Sequence, residues 1–99
     1  MTVTGDWDVT IKTPIGSLAV EYSFSNTATG LAGTATLNGD SVELQNISQT
    51  GNRVTWRQKV TRPMRLNLEF DVTILGEEMT GHSRAGRLPR SAVTGTRRV

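Results

Sequence analysis

The stretch from Asn52 to Leu75 is the longest run of the chain without glycine, and its patterning leaves little freedom of fold. Up to a break at Thr61-Arg62-Pro63, Val54, Trp56, Gln58 and Val60 alternate with Arg53, Thr55, Arg57 and Lys59. Beyond it, Met64, Leu66, Leu68, Phe70, Val72 and Ile74 alternate with Arg65, Asn67, Glu69, Asp71 and Thr73. Side chains of a strand point to opposite faces in turn, so a strict period of two describes strands with one buried and one wet face. The two halves read as a long antiparallel hairpin around a short Pro-containing loop.

The same period runs through the rest of the chain. After Gly5-Asp6, Trp7, Val9 and Ile11 alternate with Asp8, Thr10 and Lys12. Thr13 to Gly16 is a turn, because Pro14 sets φ and Gly16 tolerates a positive one. Leu18, Val20, Tyr22 and Phe24 share one face of a second strand, and Leu31, Gly33, Ala35 and Leu37 one face of a third. Asn38-Gly39-Asp40 is a hairpin signal. Val42 and Leu44 continue inward, but Ile47 falls on the wrong parity, and one extra residue near Asn46, a β-bulge, restores it. Gly76-Glu77 turns the chain into Met79, Gly81 and Ser83; a loop from Arg84 to Arg90 leads to Val93, Gly95 and Arg97. No window combines a period of 3.6 with helix caps.

About eight short strands in succession predict an all-β, antiparallel up-and-down meander in a single domain, residues 1–99. A flat meander leaves two edges open to aggregation, and closure into a small barrel removes them. Inward residues meet inward residues if Leu37 faces Val42, Ile74 faces Met79 and Ile11 faces Leu18. Closing the first strand on the last can be written consistently too, with Trp7 opposite Arg97, Val9 opposite Gly95 and Ile11 opposite Val93. A two-sheet β-sandwich satisfies the same alternation.

Composition narrows the class of protein. The 15 threonines and nine valines are a β-rich choice. No segment approaches the roughly 18 apolar residues of a membrane helix, and no charged-then-apolar signal sequence opens the chain. With no cysteine, disulfides and thiolate metal sites are excluded. The cytoplasm is the expected compartment, with a mature secreted form as the other option, and the Asn46-Ile47-Ser48 glycosylation triplet is read as chance. Net charge is +2, but no Asp or Glu follows Glu78, whereas Arg84, Arg87, Arg90, Arg97 and Arg98 do. Few aromatics are present to stack bases, so this basic tail argues weakly for nucleic acid.

Candidate chemistry is sparse. His82 and Ser83 are neighbours on a strand, so they point to opposite faces and form no nucleophile–base dyad. The inward set contains no carboxylate, which removes the paired acids of a glycosidase, and no metal or cofactor site is legible. It does contain Tyr22, Trp56, Gln58, Ser83 and Arg97, buried polar groups that need partners. Tyr22, Trp56, Gln58 and Phe70 are the expected ligand-facing residues of an apolar lumen. Alternate turns of a meander share an end, which places Lys12, Arg62, Arg84, Arg87 and Arg90 on one rim against Asp40. Arg62 and Arg87 would then help capture a small hydrophobic or amphipathic ligand, an anion above all. The alternatives are a structural or oligomeric module with a filled core, such as a homodimer, and a small barrel isomerase or cyclase. No catalytic residue can be assigned.

The pair of Gly5-Asp6-Trp7 on the first strand and Gly95-Thr96-Arg97 on the last resembles the calycin signature of lipocalins and their relatives. That resemblance implies that Trp7 and Arg97 close one end of the barrel, with the guanidinium over the indole. The spacing Gly5/Trp7, Thr13/Pro14/Gly16, Leu31/Gly33, Gly51/Asn52/Val54/Trp56, Pro63/Met64/Leu66, Gly76/Met79/Gly81 and Gly95/Arg97 also resembles small, functionally unassigned bacterial β-proteins. It implies a fold, and no activity.

Overall fold

The computed structural model describes residues 3–13, 16–28, 30–37, 39–60, 66–86 and 89–98. The turn residues Pro14 and Asn38, the break at Thr61-Arg62-Pro63 with Met64, and Arg87 lie outside the described residues. Among the described residues there are nine strands: β1 (Gly5–Thr13), β2 (Gly16–Thr27), β3 (Gly30–Leu37), β4 (Asp40–Glu43), β5 (Gln45–Thr50), β6 (Arg53–Val60), β7 (Leu66–Leu75), β8 (Glu78–Ala85) and β9 (Ser91–Arg97). They form one antiparallel sheet in the order β4-β3-β2-β1-β9-β8-β7-β6-β5. This is a meander whose ends are joined by β1 and β9, curled into a nearly closed barrel.

The closing register is Trp7 with Arg97, Val9 with Gly95 and Ile11 with Val93, the expected pairing and one that the parity of the two strands allows. Ile11 faces Leu18 and Ile74 faces Met79, also as predicted. One hairpin is tighter than expected. Ala35, not Leu37, faces Val42, and Leu37 faces Asp40. An Asn-Gly pair needs only a two-residue connection when Gly supplies φ > 0, and Gly39 has φ 84°. The shift is by two residues, so the inward face is unchanged.

The expected fourth strand is two strands. β4 pairs with β3, β5 pairs with β6, and Leu44 between them donates its N–H to the Gly33 carbonyl at 2.9 Å. The register slips between Gln45 opposite Arg57 and Ser48 opposite Thr55. Asn46, the one non-glycine with positive φ among the described residues (53°), takes up the extra position. The predicted bulge is present and returns Ile47 to the core side, where it packs half-buried. It also bends the strand out of one pairing and into the other, which leaves a seam between β4 and β5.

The inward faces deliver Trp7, Val9, Ile11, Val20, Tyr22, Phe24, Ala35, Val54, Trp56, Phe70, Val72, Ile74, Met79 and Val93 to one buried core. Glycine is required where strands approach most closely. A Cβ on Gly81 would collide with the Asp71 carbonyl and come within 2.6 Å of Val72 Cα. One inward residue departs from expectation: Leu18 is 44% exposed. It stands two residues after the start of β2, at the lip of the barrel. The outer face carries ion pairs of little individual weight, including Arg57–Glu69 at 3.5 Å and the bidentate Arg53–Asp71 pair. It also carries a row of threonines in direct cross-strand register, Thr10, Thr94, Thr80 and Thr73.

Candidate functional site: the plugged end and the opposite rim

Antiparallel order puts the connections after β2, β5 and β7 at one end, with both termini, and those after β1, β3, β6 and β8 at the other. The first end is plugged. Trp7 is fully buried, and the Arg97 guanidinium carbon lies 4.4 Å from its ring centroid. The indole Nε1 donates to the Val3 carbonyl at 2.8 Å, and Arg97 Nη1 donates to the Thr4 carbonyl. Glu77 Oε2 sits 3.4 Å from Arg97 Nε. Gly5, at φ 125°, lets the guanidinium pass: a Cβ there would be 3.1 Å from Nη1. Val3 is itself buried, and its N–H donates to Gln49 Oε1 at 3.1 Å, so the N-terminal segment forms a strap across this end. Val3 shares the odd parity of Trp7 and Val9, the one sign of its inward position available before the strand begins.

Four aromatic rings fill the middle of the barrel. Trp56 stacks on Phe70 at 4.9 Å between centroids and 8° between planes. Tyr22 and Phe24 meet Trp56 edge-on at 5.4 and 5.2 Å. β2, β6 and β7 thus bring together Tyr22, Trp56 and Phe70, with Phe24 as a member that functional reasoning passed over and that its parity could have supplied. Gly33 makes the space: a Cβ there would be 3.0 Å from the Phe24 ring and 3.1 Å from Leu44.

Gln58 belongs to the same cluster. Its Oε1 accepts a hydrogen bond from the Tyr22 hydroxyl at 2.8 Å, and the residue as a whole is 7% exposed. Burial pushes the Tyr22 phenol well above its ordinary range, so it stays neutral. The Trp56 Nε1 is buried with no hydrogen-bond partner. Gln58 and Ser83 are the buried polar side chains outside the aromatic set among the described residues. The interior is therefore apolar, with neutral donors and acceptors and no buried carboxylate. His82 is half-buried and sits across from Asp71 on the outer wall, while Ser83 is buried.

The second end lacks a comparable plug among the described residues. Leu18 is exposed there, and Leu37, Val42 and Leu68 are only half-buried against the core. Lys12, Arg84 and Arg90 are exposed around it, with Asp40. Arg62 and Arg87, the other expected rim cations, lie outside the described residues. Compared with known proteins, the chain matches no family model, no curated protein and no solved structure.

Proposed function

We propose that the protein binds a small amphipathic anion, a carboxylate with a hydrophobic body, at the end of the barrel opposite the Trp7–Arg97 plug. The observation that carries this reading is the difference between the two ends. One is plugged by Val3, Trp7 and Arg97, whereas at the other, among the described residues, Leu18 is 44% exposed and Lys12, Arg84 and Arg90 are exposed. An apolar cup with a few hydrogen-bonding groups is the usual form of a ligand site, and basic groups around it raise the capture rate of an anion. Gln58 lies two residues before the end of β6 on this side of the barrel, with its Oε1 committed to Tyr22 and the amide Nε2 as its donor end. The calycin-like assignment of the barrel is supported by the same plugged end, where Gly5 gives passage to the arginine that covers Trp7.

The test is a titration with a medium-chain carboxylic acid and its matched primary amide, followed by tryptophan fluorescence at low and high ionic strength. The acid binds more tightly than the amide at low salt, and the difference shrinks as salt screens the rim. An acid without advantage at low salt, or an unchanged affinity in Arg62→Glu with Arg87→Glu, refutes the basic mouth.

A second reading, a structural or oligomeric module with a filled core, is favoured by the Tyr22–Gln58 bond and the stacked Trp56–Phe70 pair. Both use inside the protein the groups that a ligand would otherwise engage.

A further inference from the structure

The order of strands divides the barrel into two halves that are each continuous in sequence: β1 to β4, and β5 to β9. Each half is complete as an antiparallel meander. They meet at the β1–β9 ladder and through the core, and the chain passes between them once, at Leu44 to Asn46. That passage is the irregular point of the backbone: the strand is broken at Leu44, the register slips, and Asn46 is held at φ 53°. Left-handed backbone costs a residue with a side chain, though Asn tolerates it better than most. Of the two strands that border the seam, β5 carries no charged residue to guard its edge, whereas β4 carries Asp40 and Glu43.

We infer that the chain can form an intertwined dimer with a second copy of itself, with Asn46 as the hinge. Straightening residues 44–46 releases the left-handed residue and makes β4 and β5 one continuous strand. The β1–β4 half of one copy then packs on the β5–β9 half of the other. Every ladder within a half is retained, and the β1–β9 ladder and the core are rebuilt between chains, so the closed contacts are exchanged rather than lost. The Tyr22–Gln58 hydrogen bond becomes a bond between chains, and each aromatic core is built from both copies.

Thr10 and Thr94 stand opposite each other on β1 and β9, on the outer face, and the chain has no cysteine to interfere. In Thr10→Cys/Thr94→Cys the oxidised pair lies within one chain of a closed barrel and between two chains of an exchanged dimer. In this background, Asn46→Val penalises the bent hinge and Asn46→Gly relieves it. Asn46→Val is expected to raise the dimerisation constant by about 10- to 100-fold over Asn46→Gly, since hinge strain is released in both copies. The dimer, separated by size exclusion and oxidised, runs at twice the chain mass on a non-reducing denaturing gel. Should Asn46→Val fail to fold, the cysteine pair with Asn46 retained is refolded across a range of protein concentrations, and the doubled band grows with concentration. An Asn46→Val protein that stays monomeric, a dimer that oxidises only within chains, or refolding that gives single-chain bands at every concentration overturns the inference.

Discussion

The Arg97 guanidinium lies over the Trp7 indole at 4.4 Å, and the two residues are direct cross-strand partners between the last strand and the first. The contact closes the sheet and caps the barrel at once, because the arginine also reaches the Thr4 carbonyl of the N-terminal strap and Glu77 on the β7–β8 turn. Trp7→Ala is expected to cost about 3–5 kcal/mol, the loss of a fully buried aromatic. Arg97→Ala costs less. The two losses are non-additive in a double-mutant cycle, with a coupling of about 1 kcal/mol from the cation–π contact. Additive losses in urea denaturation would show that the two residues act separately.

Gly81 and Gly33 separate two kinds of close approach. A Cβ at Gly81 meets the backbone of β7, which cannot move without breaking the ladder. Gly81→Ala is therefore expected to lose about 3 kcal/mol. At Gly33 the nearest atoms are the ends of Phe24 and Leu44, with the Ser23 carbonyl at 3.1 Å, so Gly33→Ala costs about 1 kcal/mol, with some repacking. Denaturation midpoints at constant m-value give the ranking directly.

Tyr22 is the only tyrosine, so the ultraviolet band of phenolate reports on it alone. Burial raises its folded pKa above the unfolded value of about 10. The neutral form is thus the one bound in the folded state. Its contribution to stability is complete below pH 10 and is lost as pH rises above that value. The phenolate band is expected to appear only together with loss of the near-ultraviolet circular dichroism of the aromatic cluster, and near pH 10 in denaturant. Tyr22→Phe removes the band and shifts alkaline unfolding upward. A phenolate that titrates near pH 10 in the folded protein contradicts the buried position.

Gln58→Leu leaves the Tyr22 hydroxyl buried without its acceptor, at a cost of about 1–3 kcal/mol. Tyr22→Phe in the same chain recovers much of that loss, because no polar atom of the pair is then stranded. The rescued double variant also separates the two functional readings. If it binds the amphipathic acid as the native chain does, Gln58 serves the core; weaker binding assigns its amide to the ligand. Thermal denaturation and the fluorescence titration measure both quantities on one sample.

Period-two alternation determined most of the barrel. It specified the inward faces and the bulge near Asn46 and was consistent with the closing register of Trp7 with Arg97, because parity is a local property that a one-residue slip reverses and a two-residue slip, as in the β3–β4 hairpin, does not. It also named Tyr22, Trp56, Gln58 and Phe70 as interior residues. What it could not contain was how those side chains meet. Gln58 read as an amide in want of a partner, and only the curvature that brings β2 across to β6 supplied Tyr22. Leu18 has the parity of a core residue, yet its height in the barrel, set by where β2 begins at the rim, leaves it exposed. The bulge was legible, but its effect was not. An extra residue restores parity in any sheet, and only closure into a barrel makes that residue the point where one strand leaves β3 for β6 and a seam opens. Parity is written in the chain, whereas distance across the lumen comes from the stagger and tilt of strands that close on one another.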